Sequence, residues 1–424
     1  MEGSAVHIGK VEVTGIFFEL LQVSVGTRSR LSVVPTAEEW QALYDMAARQ
    51  TLIGVCADGI DRLDAEQRPP RSLAMRWAMT VVRIEQMSRR QNMQAMDVQR
   101  RFAKAGFRSC IFKGVGVAAY YPHPLRRQGG DIDIWLEGGR EKIIKYIRGI
   151  SPLETVSYHH IDFRMVKDPL IEVHFFPTFL LNPWRNRKMM QYWRQETPRQ
   201  MENNVELPDG QGMITAPTDD LNVIALLGHI MHHFLEEGVG LRQIVDYYYL
   251  LTRGCRTLDR EAVTGRLRDF HMTKFAGAVM YVLKTVLNMD DRFMIAAPDA
   301  KAGRMLLDNI LKGGNFGMYN DALKAIRQAD SPLGSFFRRE RYNMRLLSNY
   351  TEEYFSEIAY RIFSFSIVSI GTDGGCGTPK RETVERKIYT NIRFPLILAN
   401  MRLKNVIRRS VLGMCHTVIQ NVLF

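Results

Sequence analysis

The chain reads as an α+β protein, a small α/β core flanked by N-terminal and C-terminal helical regions. Three observations predict this. Apolar residues fall at helical spacing within 1–105, as in Leu73, Trp77, Val81, Ile84 and Met87. Short apolar runs alternate with turn residues from Gly106 to Phe176, and helical patterning returns from Pro217. These shifts divide the chain into an N-terminal helical region (1–105), a core (106–216), a helical domain (217–370), and a linker with a basic C-terminal tail (371–424).

The elements follow in order. Gly106 stops the first helical region, with Lys104 in its last turn. Glu66-Gln67-Arg68-Pro69-Pro70-Arg71 reads as a linker within that region. Ser109 to Phe112 is a short buried strand, Val115 to Tyr121 one or two helical turns stopped by Pro122, and His123 to Gly130 a loop. Asp131 to Leu136 is a strand, Arg140 to Ile150 a helix, Val156 to Met165 a strand, Lys167-Asp168-Pro169 a turn, and Leu170 to Phe176 another strand. Thr218 caps the next helix, with Asp219 and Asp220 matching its dipole. A second helix runs from Leu241 to Leu251, and helices continue through 260–365. Gly371 to Gly377 is a loop or flexible linker, and beyond Glu385 the tail is basic and apolar, which suits a core helix with a basic side, the alternative being a segment that binds an anionic partner or membrane surface.

Composition narrows the class. Hydrophobic residues are 46% and charged residues 24%, as in ordinary globular proteins. No window approaches the roughly 18 consecutive apolar residues of a spanning helix. Glu2, His7, Lys10 and Glu12 break up the layout of a secretion signal, so a cytoplasmic location is expected. Five scattered cysteines without a C-x-x-C pair argue against a disulfide framework or structural zinc. The net charge of +12 suits anionic ligands but equally a plain basic surface, and no nucleic-acid module accompanies it.

The chemistry concentrates in the core. In Asp131-Ile132-Asp133-Ile134-Trp135-Leu136, strand alternation puts both aspartates on one face and the aliphatic residues on the other. Adjacent like charges on an apolar strand are costly without a counter-charge. A divalent cation resolves the conflict, and magnesium favours oxygen ligands. Glu172 has the same character: it shares a face with His174 while Ile171, Val173 and Phe175 face away. If the two strands are neighbours, Asp131, Asp133 and Glu172 converge. Three such carboxylates can hold two ions about 3.5–4 Å apart, as in phosphoryl and nucleotidyl displacement.

Phe112-Lys113-Gly114-Val115-Gly116 turns from a strand towards a helix, where glycine lets backbone approach a phosphate and Lys113 adds a charge. It is neither a Walker A motif nor a dinucleotide fingerprint. Arg126 and Arg127 precede the aspartates, where a forked guanidinium suits triphosphate oxygens.

Together these residues resemble the polymerase β-type nucleotidyltransferase superfamily and, within it, a bacterial family of poorly characterised nucleotidyltransferases. The matching elements are Phe112-Lys113-Gly114, Tyr121-Pro122, Arg127, Gly130-Asp131-Ile132-Asp133-Ile134, Ile171-Glu172-Val173-His174, His229 with His233, and Leu241-Arg242 with Asp246, over roughly residues 15–260. The superfamily's usual Gly-Ser turn is here Lys113-Gly114-Val115. The resemblance implies a mixed sheet with flanking helices and two Mg2+ ions held by Asp131, Asp133 and Glu172. It also implies a nucleoside triphosphate contacted by Lys113, Gly114 and Arg127, and an acceptor, small molecule or protein.

Other polar residues border this set. His229 and His233 share a helical face but lack the glutamate of a zinc-protease helix, so interdomain bonding or substrate contact is expected. Arg242 and Asp246 share a face as an ion pair or as substrate contacts, as does His174 on its strand, and one of His159 and His160 should face the cleft. The leading expectation is transfer of a nucleoside monophosphate. The alternatives are a catalytically inactive nucleotide-binding or protein-interaction module with the same fold, and a histidine-based metal hydrolase.

Overall fold

Four helices occupy the N-terminal stretch: α1 (Ala5–Val25), α2 (Ala37–Arg49), α3 (Ile53–Arg62) and α4 (Arg71–Lys104). This computed structural model describes residues 5–327, apart from 153, 165–168, 237 and 255–256, together with 338 and 342. The 371–424 linker and tail, and the helices expected beyond 327, lie outside the described residues. α2 begins where Thr36 and Glu39 satisfy each other's backbone N–H groups in a reciprocal capping box. The tract read as a linker is packed: buried Gln67 accepts from the Leu31 N–H and donates to the Leu31 carbonyl. The Pro69-Pro70 pair therefore stands at a helix boundary rather than in a tether.

α4 bridges two cores. Leu73, Trp77, Val81 and Ile84 pack among the helices, while Ala95, Val98 and Phe102 pack beneath the sheet. Met87, expected on the apolar stripe, is exposed, because the buried face continues through Ser88, Gln91 and Asn92 instead. Those buried polar side chains have partners. Ser88 Oγ donates to the Arg127 carbonyl, Gln91 Nε2 to the Gly130 carbonyl at 2.7 Å, and Asn92 to the Gln211 side chain. A polar interruption in the stripe thus fixes the loop that delivers Asp131.

The core elements are β1 (Ser109–Phe112), α5 (Gly114–Ala118), β2 (Ile132–Leu136), α6 (Arg140–Ile150), β3 (His160–Phe163) and β4 (Ile171–His174). The four strands form a mixed sheet in the order β1-β2-β4-β3. β2 runs parallel to β4, and the two outer pairings are antiparallel. β3 is shorter than expected, with only an isolated bridge at Val156 before it, and residues 165–168 of the expected strand and turn lie outside the described residues. The aliphatic face, with Ile111, Ile134, Val173 and Ile161 in one row, rests on α4 and on Ile143 and Ile147 of α6. Every charged residue of the strands lies on the opposite face.

Next come α7 (Pro183–Gln200) and a hairpin of β5 (Asn204–Leu207) with β6 (Gly212–Thr215), which the sequence did not single out. α7 opens on Asn182, whose side chain accepts from the N–H groups of Trp184 and Arg185. The chain continues through α8 (Asp219–Glu236), α9 (Leu241–Arg253), α10 (Arg260–Asp269), α11 (Thr273–Leu287), α12 (Ala300–Gly313) and α13 (Asp321–Arg327). Thr218 precedes α8 as expected, but its hydroxyl accepts from Gln200. One apolar core joins α1–α3 to α8, α9, α11 and α12. Polar ties reinforce it, as where Gln50 donates to the Ile310 carbonyl and accepts from the Leu241 N–H. Among the described residues, no helix is long and apolar enough to cross a membrane.

Candidate active site

Strand register assembles the site. Phe112, Asp133, Glu172 and Asp162 form one row across the sheet, and Cys110, Trp135, His174 and His160 the next, all on the same face. The parallel pairing of β2 with β4 places Asp133 directly beside Glu172.

Lys113 follows β1 with φ of 53°, a region that non-glycine residues rarely occupy and that stores strain. Gly114 continues at φ 26°. This bend turns the Lys113 side chain back over the sheet, where Nζ lies 2.7 Å from Asp133 Oδ1. His174 Nε2 lies 2.9 Å from the same oxygen and 3.3 Å from Glu172 Oε2, and His160 Nδ1 lies 3.7 Å from Glu172 Oε2. Asp133, Glu172 and His174 offer ligand atoms that all lie within 4.8 Å of one another, and so do His160, Asp162 and Glu172. Asp131, one residue before β2, stands outside these tight groups but lines the same cleft.

The electrostatics follow from this layout. Burial alone would raise the Asp133 pKa, but the Lys113 ammonium and the His174 hydrogen bond hold it far below the usual carboxylate range. Burial likewise opposes ionisation of Glu172, and the hydrogen bond from His174 outweighs it, leaving that pKa lowered. For Lys113, burial works against the charge, but Asp133, Glu172 and Asp131 overcome it and raise the pKa. Asp131 gains less from Lys113 than it loses to its neighbours. The Asp133 charge first, then burial and Glu172, push it up to about 6.

This has a consequence for stability. An ionised Asp131 is less favourable folded than unfolded, so its penalty is absent below the unfolded value of 3.8, grows as pH rises from there, and is full above about 6. The whole shift corresponds to ~3 kcal/mol, and partial exposure to solvent reduces it. Without divalent ions, Asp131→Asn should therefore stabilise the protein by about 1–2 kcal/mol near pH 8 and by almost nothing near pH 4. Urea melts at the two pH values check this; an equal effect at both would show that the Asp131 charge is not strained.

The arginines are arranged differently from the sequence expectation. Arg126 is tied to α3 and α4 through Asp58 at 2.6 Å, Asp61 at 2.8 Å and Glu85 at 3.3 Å, so it docks the loop rather than reaching into the cleft. Gly54 allows that docking: a Cβ there would come within 1.9 Å of the Arg126 carbonyl oxygen. Arg127 borders the cleft, but its Nε and Nη2 grip both oxygens of Asp246 at 2.7 and 2.8 Å, and Tyr121 donates to the same carboxylate. The expected Arg242–Asp246 pair is thus replaced by Arg127–Asp246, because tertiary packing brings the loop to α9. Arg242 donates to the Gln128 carbonyl, and among the described residues its buried Nε has no hydrogen-bond partner. Burial, and then the neighbouring Arg127, lower its pKa.

The histidines gather in the same cleft, which encloses about 470 Å3. His229 and His233 meet edge-on at 4.1 Å between ring centres, and burial holds His229 well below its ordinary pKa. Among the described residues, the groups close enough to share an ion include neither of them. Both His159 and His160 line the cleft, not one of the pair, since His159 lies at the strand edge beyond β3. Asp162, absent from the residues expected at the site, joins it through the same alternation in His160-Ile161-Asp162 as in Glu172-Val173-His174. His232, Phe179 and Phe316, which loops and the turn of α8 bring into the lining, carry no local signal.

The chain's similarities agree with this geometry. No curated protein matches the chain. A family model described as an uncharacterised nucleotidyltransferase matches residues 36–288, and the chain belongs to that family.

Proposed function

We propose that the protein is a metal-dependent nucleotidyltransferase of polymerase β type that moves a nucleoside monophosphate from a nucleoside triphosphate to an acceptor. The observation that carries this reading is the register Asp133 to Glu172 across β2 and β4, with Asp131 and Lys113 opening on the same cleft. A family model of nucleotidyltransferases covering most of the described chain supports it.

The residues fit hard divalent cations. Asp131, Asp133 and Glu172 are oxygen donors on one face, and the Asp131 pKa of about 6 reflects negative charge in excess of what Lys113 neutralises. Those three residues would hold Mg2+, two ions in the full arrangement, and the bound ions would stabilise the charge of the triphosphate and of departing pyrophosphate. Lys113 and Gly114 border the phosphates. Arg127 positions the wall beside them through Asp246, and Arg242 presents a guanidinium whose Nε has no partner among the described residues. Glu172 accepts the proton of the acceptor hydroxyl as its oxygen attacks the α-phosphorus and the bond to pyrophosphate breaks. His174 holds that carboxylate at 3.3 Å and keeps it ionised. His229, His233 and Asp246 line the same cleft, where they are assigned to the substrate side.

The test is release of pyrophosphate from each nucleoside triphosphate, with and without Mg2+, against candidate small-molecule and protein acceptors. Glu172→Gln should reduce turnover about a hundredfold to a thousandfold while nucleotide binding, read by calorimetry, changes little. Tight nucleotide binding with no transfer in the wild type would favour an inactive nucleotide-binding module instead.

A further inference from the structure

Beside the carboxylates, the cleft has a wall of imidazoles. His159 and His160 stand at the start of β3 and His174 at the end of β4, and one ring nitrogen from each lies within 4.8 Å of the others. His159 Nε2 and His160 Nδ1 are 3.2 Å apart. That is near the roughly 3.3 Å separating two nitrogens bound at ~2.0–2.1 Å to one tetrahedral zinc ion. His174 is held in place through Nε2, which meets Asp133 at 2.9 Å and Glu172 at 3.3 Å. Its Nδ1 is buried without a hydrogen-bond partner among the described residues, on a side chain with no exposure to solvent. Metal-ligating histidines are commonly oriented by a carboxylate on one ring nitrogen, as Asp133 and Glu172 orient His174.

We propose that His159, His160 and His174 form a binding site for one transition cation of the zinc class, next to the acidic group and distinct from it in donor chemistry. Imidazole donors select zinc, cobalt or nickel over magnesium, which keeps to oxygen. Asp162 and Glu172 flank His160 at 3.6 and 3.7 Å and supply a compensating negative charge for such an ion. The site stands independently of nucleotidyl transfer, since it is defined by nitrogen ligands and read by metal binding alone.

The experiment uses untagged full-length protein, stripped with a chelator and titrated with Co2+ alone, followed by visible absorption. The expected result is one equivalent bound with the intense band of a low-coordinate, nitrogen-ligated Co2+, unmoved by a large excess of Mg2+ and displaced by Zn2+. His159→Ala with His160→Ala should abolish the band, and the single variants His159→Asn and His160→Asn should weaken Co2+ affinity at least tenfold. Circular dichroism and a thermal melt of each variant confirm folding. No band in the wild type would overturn the proposal and leave the 3.2 Å contact as a histidine–histidine hydrogen bond. A band that Mg2+ displaces, or that persists in the double variant, would also overturn it, by placing the ion on the carboxylates. No nucleotide is present, so failure here and failure of the transferase reading are separate results.

Discussion

Replacing Asp133 with alanine is expected to reduce Mg2+-dependent transfer at least about a thousandfold and to destabilise the fold as well. The first effect follows from its place beside Glu172, where it would hold the divalent ions. The second follows from what it leaves behind. Lys113 Nζ and His174 Nε2 both converge on Asp133 Oδ1, and all three side chains are buried. Removing one partner of a buried ion pair strands the other charge, at a cost of about 3–5 kcal/mol. Asp131 and Glu172 remain near Lys113 and offset part of that, so about 2–3 kcal/mol is expected. Asp133→Asn should recover much of the stability, because it keeps the volume and a hydrogen-bond acceptor, but almost none of the activity. Urea melts and pyrophosphate release together separate the two effects. Wild-type turnover in both variants would refute the assignment of Asp133.

Replacing Asp246 with alanine is expected to cost about 3–5 kcal/mol of stability. Arg127 would lose both charge-assisted bonds, and the Tyr121 hydroxyl would lose its acceptor at 2.6 Å. Burial alone works against the Arg127 charge, and Asp246 is what keeps that guanidinium's pKa above its ordinary value. The pair also ties α9 to the loop before β2, so survivors should show a raised KM for nucleotide as Asp131 loses its fixed approach. Arg127→Ala should be comparably damaging, and the double variant less damaging than the two single losses combined, since neither charge is then stranded. A melt of Asp246→Ala indistinguishable from wild type would show that the pair adds nothing to the fold.

Much of the core and part of the site were legible in local pattern. The α+β class, the helix over 140–150, the strand after Asp131 and the single face shared by Asp131 and Asp133 follow from periods of 3.6 and 2 alone. The interruption of Leu170 to Phe176 by Glu172 and His174 was equally local, and the pairing of β2 with β4 then made it meaningful. The same alternation in His160-Ile161-Asp162 is weaker in local pattern, because β3 is short and its preceding tract carries no clean strand signal.

Partners across the fold were not legible. Lys113, read as a free charge for phosphate, already holds Asp133; Arg126 holds Asp58, Asp61 and Glu85; and Arg127, not Arg242, holds Asp246. Those pairings span 20, 68, 65, 41 and 119 residues. They depend on register, on the polar segment of α4 at Ser88, Gln91 and Asn92, and on the placement of α9 against the loop. The sequence by itself determined the fold class, the chemistry of the donors and the face on which they stand, because backbone alternation is a property of adjacent residues. The tertiary structure decided which charges neutralise one another and which stay open to a ligand, because Coulomb pairing depends on distance in space and on burial, and neither is written in the order of residues.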